Sequence, residues 1–143
     1  MVPKSLRNRE TLLLSGSEIS QILGPEDYFD LVENAFRLYA EDKSLGTGLL
    51  HVDTENGEFH IKVGGLVTEK TYLGLKLNGG FFQNQKRFGL PNIQGIIVLC
   101  DGEDGSPLAI MESVQITINR TGATTAVAAK YLAKPDSKTV TIC

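Results

Sequence analysis

A chain of 143 residues with 41% hydrophobic, 22% charged and 7% aromatic side chains has one domain's length and ordinary globular composition, which excludes disorder for most of it. Fourteen Lys and Arg against seventeen Asp and Glu leave a net charge of −3, so no net positive field draws in a nucleic-acid backbone. No run reaches the roughly 20 apolar residues of a bilayer crossing, and the opening MVPKSLRNRE has no signal-peptide core. The expectation is a cytoplasmic protein without nucleic-acid or membrane partners, in which Cys100 and Cys143, outside any CxxC pair, stay reduced.

Leu12 to Leu14 is a short apolar run, and Ser15 with Glu18 three residues on is a capping-box pattern opening a short helix that carries Ile19, Ile22 and Leu23. Pro25 suits the first position of a longer helix, in which Tyr28, Leu31, Val32, Ala35, Phe36 and Tyr39 form one stripe at helical spacing. From Leu49 the period becomes two. In residues 58–64 Phe59, Ile61 and Val63 face one way and Glu58, His60 and Lys62 the other, and in 72–78 Leu73, Leu75 and Leu77 alternate with Gly74, Lys76 and Asn78. The polar stretch 84–87 reads as a loop, and 93–99, apolar on both faces, as a central strand. Turn residues in 101–107 lead into a strand at 108–111, which makes a hairpin. Residues 121–133 are Ala-rich and helical, 134–137 form a loop, and 139–143 begin a β-branched strand. A strand with nothing after it to cover it implies that the chain continues in a longer protein.

Two cations stand apart from their surroundings. Lys76 sits on a strand beside glycines that clear space around it. It either lays its stem over the sheet with the ammonium in water, or holds an anion or exchanges a proton there. His60 and Lys62, on the same face of the neighbouring strand, either line that pocket or are solvated surface groups. Arg120 is the only charged residue between Ser113 and Ala129, at the expected entry of the Ala-rich helix, where a cation opposes the helix dipole. It either pairs with Glu112 or binds a carboxylate or phosphate together with the free amides of the helix start. The two histidines, nine residues apart, match no metal-ligand spacing, so no metal is expected, and no GxGxxG occurs.

The stretch PLAIMESVQITINRTGATTAVAAKYLA from Pro107, with LGLKLNGGF at 73–81 and the strand pair IIVLCDGEDGSPLAIM, resembles the ornithine cyclodeaminase and mu-crystallin family over nearly the whole chain. The resemblance implies an α+β fold: N-terminal helices on a mostly antiparallel sheet, then the Ala-rich helix and the first strand of a truncated Rossmann domain. It divides the chain into a substrate-binding and dimerisation domain, 1–118, and the start of an NAD(P)-binding domain, 119–143, with the glycine-rich cofactor loop beyond Cys143.

By the same resemblance Lys76 is catalytic and meets the substrate's carboxylate and amino nitrogen, while Arg120 clamps that carboxylate. Thr121 and Asn92 lie beside the cofactor, NAD or NADP. Many relatives have an arginine in the first strand of the sheet; the sequence GLLHVDTENGEFHIK has none, and His51, His60 and Lys62 stand in its place. The implied whole protein is a homodimeric NAD(P)-dependent enzyme acting on a small α-amino or cyclic imino acid, by cyclodeamination, alanine dehydrogenation or ketimine reduction. The alternatives are a mu-crystallin-like ligand carrier without catalysis and a dimerisation scaffold. The 143 residues alone are expected neither to bind NAD nor to catalyse.

Overall fold

The computed structural model describes residues 10–141. It opens with strand β1, Leu12–Leu14, and a one-turn helix α1, Gly16–Ile19. The capping box forms as the sequence predicts: the Glu18 carboxylate accepts the Ser15 amide at 2.8 Å while the Ser15 hydroxyl accepts the Glu18 amide at 3.4 Å. Helix α2, Pro25–Ala40, has Pro at its start, and Asp27 accepts the Gly24 amide at 2.8 Å. Tyr28 of the expected stripe is buried, but the inward line ends on Leu38, whereas Leu31, Phe36 and Tyr39 remain exposed. The difference arises because Phe36 and Tyr39 flank an open cleft of about 480 Å³ against residues 44–47 and 64–66 instead of a closed core.

Four long strands follow: β2, Gly48–Thr54; β3, Gly57–Val67; β4, Thr71–Gly80; and, after a short helix α3, Asn84–Phe88, β5, Ile93–Asp101. Strand β6, Pro107–Glu112, closes the expected hairpin with β5, and helix α4, Val114–Leu132, leads out of it. The six strands lie in the order β1-β6-β5-β4-β3-β2, antiparallel throughout except that β1 runs parallel to β6. β4 and β5 are therefore the central pair, as the two-sided apolar pattern of β5 predicts. Helices α2 and α4 pack together, with the Lys130 ammonium 2.6 Å from the Glu33 carboxylate and Ala123 and Val127 buried.

Three expectations change. Residues 84–87 are helical, because Gly89 supplies the left-handed turn (φ 67°) that ends α3 and the Asn92 side chain accepts the Gln85 amide at 3.1 Å. The last helix begins at Val114, seven residues before the Ala-rich segment, so the division expected at 118–119 falls inside α4. The strand expected at 139–143 does not form at 139–141, and Ile142 and Cys143 lie outside the described residues.

Candidate carboxylate site

Antiparallel pairing places Lys62 of β3 directly opposite Lys76 of β4, with Ile97 of β5 on the other flank. Alternation puts His60, Lys62 and Gly64 on one face with Gly74, Lys76 and Asn78. Gly64 and Gly74 are themselves partners, and a methyl group built at Gly74 would meet only the Gly64 carbonyl oxygen, 3.8 Å away. The floor beside the two lysines is thus bare backbone, as the sequence predicts for Lys76.

Two ammonium groups in direct opposition repel each other. Lys76 is half-buried, and its pKa is pushed below the ordinary lysine value by that burial first, then by the Arg120 guanidinium and the Lys62 ammonium. Among the ion pairs of the described residues, none includes Lys62, Lys76 or Arg120. The half-buried Lys76, in the electrostatic field of the exposed Lys62 and the exposed Arg120, makes a candidate cradle for an anion.

Arg120 reaches this cradle by a route the sequence does not reveal. Ser113 is fully buried, donates its hydroxyl to Asn78 Oδ1 at 2.9 Å, and donates its amide to the Gly95 carbonyl at 3.0 Å. These bonds pin the start of α4 to β4 and β5. The Glu112 carboxylate accepts the amides of Val114 at 2.7 Å and Gln115 at 3.4 Å, so it caps the helix instead of pairing with Arg120. Arg120 lies six residues past the helix start, about 9 Å along the axis, where the dipole no longer acts. The expected anion site at a helix end is therefore corrected: Arg120 sits in the body of α4, and the start amides of that helix are already taken.

Of the two expected cofactor contacts, Thr121 follows Arg120 directly in α4, whereas Asn92 lies apart from the cations. The Thr121 hydroxyl donates back to the Thr117 carbonyl at 2.6 Å, the bond a threonine makes inside a helix. Asn92 is bound to α3 and, five residues before Ile97, lies about 16 Å along β5 from the strand position facing Lys76.

His60 has another partner than expected. Residues 51 and 60 face each other across the hairpin of β2 and β3, their rings stacked 4.5 Å apart at 14°. Glu58 lies between them, with Oε2 3.0 Å from His51 Nε2 and Oε1 3.1 Å from His60 Nε2. Its pKa is lowered by the His60 hydrogen bond above all. As a linear pattern nine residues match nothing, but across a two-residue turn nine is the spacing of facing positions. The turn at Glu55 and Asn56 was the signal available in the sequence.

A mostly apolar cavity of about 760 Å³ lies on the opposite face of the sheet, lined by Phe59, Leu77, Phe81, Phe88 and Ile96 with Arg87 at its side. On that same face Leu50, Val52 and Ile96 are 54%, 45% and 41% exposed.

A six-stranded, mostly antiparallel sheet with α4 pinned to β4 and β5 is the α+β class of fold that these features define. The chain belongs to the ornithine cyclodeaminase/mu-crystallin family, whose model matches residues 9–143. It is 34% identical over 128 residues to the alanine dehydrogenase of Archaeoglobus fulgidus, covering 90% of this chain and 38% of that protein. Among solved structures it resembles a Thermococcus litoralis Δ1-pyrroline-2-carboxylate reductase in complex with NADH and L-proline, with TM-score 0.80, 35% identity, and 90% of this chain and 40% of the other covered. The iminosuccinate reductase of Paracoccus denitrificans in complex with NAD+ superposes with TM-score 0.78 at 30% identity, over 91% of this chain and 40% of that one. An archaeal alanine dehydrogenase dimer with bound NAD gives 0.83 at 34% identity, over 89% and 38%. The chain spans about two fifths of the length of these relatives. No helix among the described residues is long and apolar enough to cross a membrane.

Proposed function

We propose that these residues form the substrate-carboxylate part of an NAD(P)-dependent enzyme that interconverts amino and imino acids. The observation that carries this reading is the half-buried Lys76, held below its ordinary pKa between Lys62 and Arg120 over a glycine floor. Lys76 and Arg120 grip the α-carboxylate and so fix the adjacent carbon, while the Lys76 ammonium lies within the same pocket to exchange a proton with the substrate nitrogen. Lys62 adds a third positive charge opposite Lys76, and His60, on the same face, is bonded to Glu58. The nicotinamide, when bound, supplies or accepts the hydride at that carbon, and its glycine-rich loop is not among these 143 residues. The relatives named above, acting on alanine, pyrroline-2-carboxylate and iminosuccinate, support this reaction class.

The test is steady-state kinetics on the protein at the full length of its relatives, with NADH and NADPH, against pyrroline-2-carboxylate and against pyruvate with ammonia, and with NAD+ against ornithine. Lys76→Ala and Arg120→Ala should each lower kcat/KM at least tenfold, about 1.4 kcal/mol of transition-state stabilisation. Unchanged values in both variants return the two cations to the role of surface groups.

A further inference from the structure

We propose that His51, Glu58 and His60 form a binding site for a late first-row divalent cation of the zinc class on the hairpin of β2 and β3. The register His51 opposite His60 and Asp53 opposite Glu58 brings four donor side chains to one face. His51 Nε2 lies 3.0 Å from Glu58 Oε2 and 3.4 Å from Asp53 Oδ1, and His60 Nε2 lies 3.1 Å from Glu58 Oε1. One donor atom each from His51, Glu58 and His60 fall within 4.8 Å of one another. Bonds of about 2.1 Å to a metal separate neighbouring donors by about 3.0 Å at a right angle and about 3.4 Å at the tetrahedral angle. The carboxylate-to-imidazole spacings fall in that range, and the whole set, within 4.8 Å, needs only a small contraction to close on one ion.

Both imidazoles turn the same nitrogen toward the same carboxylate, and the parallel stacking of the rings holds them side by side. Two imidazole nitrogens with carboxylate oxygen suit zinc and its neighbours, whereas magnesium and calcium take oxygen alone. Without a metal each Nε2 donates a proton to Glu58. On binding, each ring proton moves from Nε2 to Nδ1, so that neutral histidines present lone pairs and no net proton is released. The cation ties the edge strand β2 to β3 and stands on the face that carries Lys62 and Lys76. It is a separate site from theirs, because Glu58 is engaged by the histidines and not by the lysines.

The test is titration of the purified chain with Zn2+ at pH 7.5, with Co2+ absorption as a check of geometry and imidazole NMR as a check of place. The chain has two histidines, so their signals are unambiguous. The expected result is one equivalent bound, both imidazoles shifting together, and affinity at least tenfold weaker in His51→Ala, Glu58→Gln and His60→Ala. His51→Gln, a polar change on an exposed edge position, keeps the test decisive if a variant fails to fold. Absence of binding, a shift of one imidazole alone, or affinity unchanged by the substitutions would show a hydrogen-bonded cluster and nothing more.

Discussion

Lys76 shows how far one residue can be read. Its isolation on a strand between glycines is visible in the sequence, and the alternation of β4 is enough to say that it shares a face with Lys62. The depressed pKa depends on neighbours that arrive from elsewhere, Arg120 foremost after burial. A lysine whose folded pKa lies below its unfolded value costs stability in full below the folded pKa, and the cost shrinks as pH rises through that value and is gone only above the unfolded one. Anion binding has the opposite dependence. Affinity for a carboxylate is full while Lys76 is charged and falls as pH rises through its lowered pKa, short of the ordinary lysine value near 10.4. The alkaline limb of kcat/KM for the full-length protein should therefore move to higher pH in Lys76→Arg, whose guanidinium stays charged; a limb that does not move assigns it to another group.

At the scale of elements, α4 separates what propensity says from what packing decides. Val114, Ile116, Thr117 and Ile118 are β-branched, poor helix formers, and a propensity reading starts the helix after them, among the alanines. Tertiary contacts override this: buried Ser113 anchors the chain to Asn78 and Gly95, and Glu112 satisfies the first amides. Ser113→Ala leaves Asn78 Oδ1 without that donor and should cost about 1 to 3 kcal/mol in denaturant unfolding. A loss below about 0.5 kcal/mol would show that the anchor is dispensable. Gly95→Ala in β5 is a harsher change, since its methyl group would lie 2.1 Å from the Leu77 carbonyl oxygen and 2.5 Å from Asn78 Oδ1. The central strands cannot separate to admit it, so the variant should be recovered unfolded or not at all.

For the whole molecule, the sheet has two faces with different destinies. One carries Lys62 and Lys76 and the anchored start of α4. The other exposes Leu50, Val52 and Ile96 beside an apolar cavity of about 760 Å³, more hydrophobic surface than a single copy gains by keeping open. We infer that this face pairs with a second copy, the solution that closed two-fold symmetry favours. Sedimentation should give a dimer for the chain and a monomer for Leu50→Glu with Ile96→Glu; a monomeric parent chain excludes this pairing.

The division between what could be read and what could not follows the range of the interactions. Periods of two and 3.6, caps and turn residues act over a few positions, so they delivered the helices, most of the strands, the β5–β6 hairpin, the capping box and the isolation of Lys76. The motifs from Leu73 to Ala133 were specific enough to identify the family. Which side chains meet was settled only by register and by the docking of α4, because those depend on residues far apart in the chain. Residue pattern alone showed Arg120 as an unexplained charge, its convergence with Lys76 on one carboxylate was implied only by the family resemblance, and the histidines became a cluster only when a two-residue turn folded one strand back on the other.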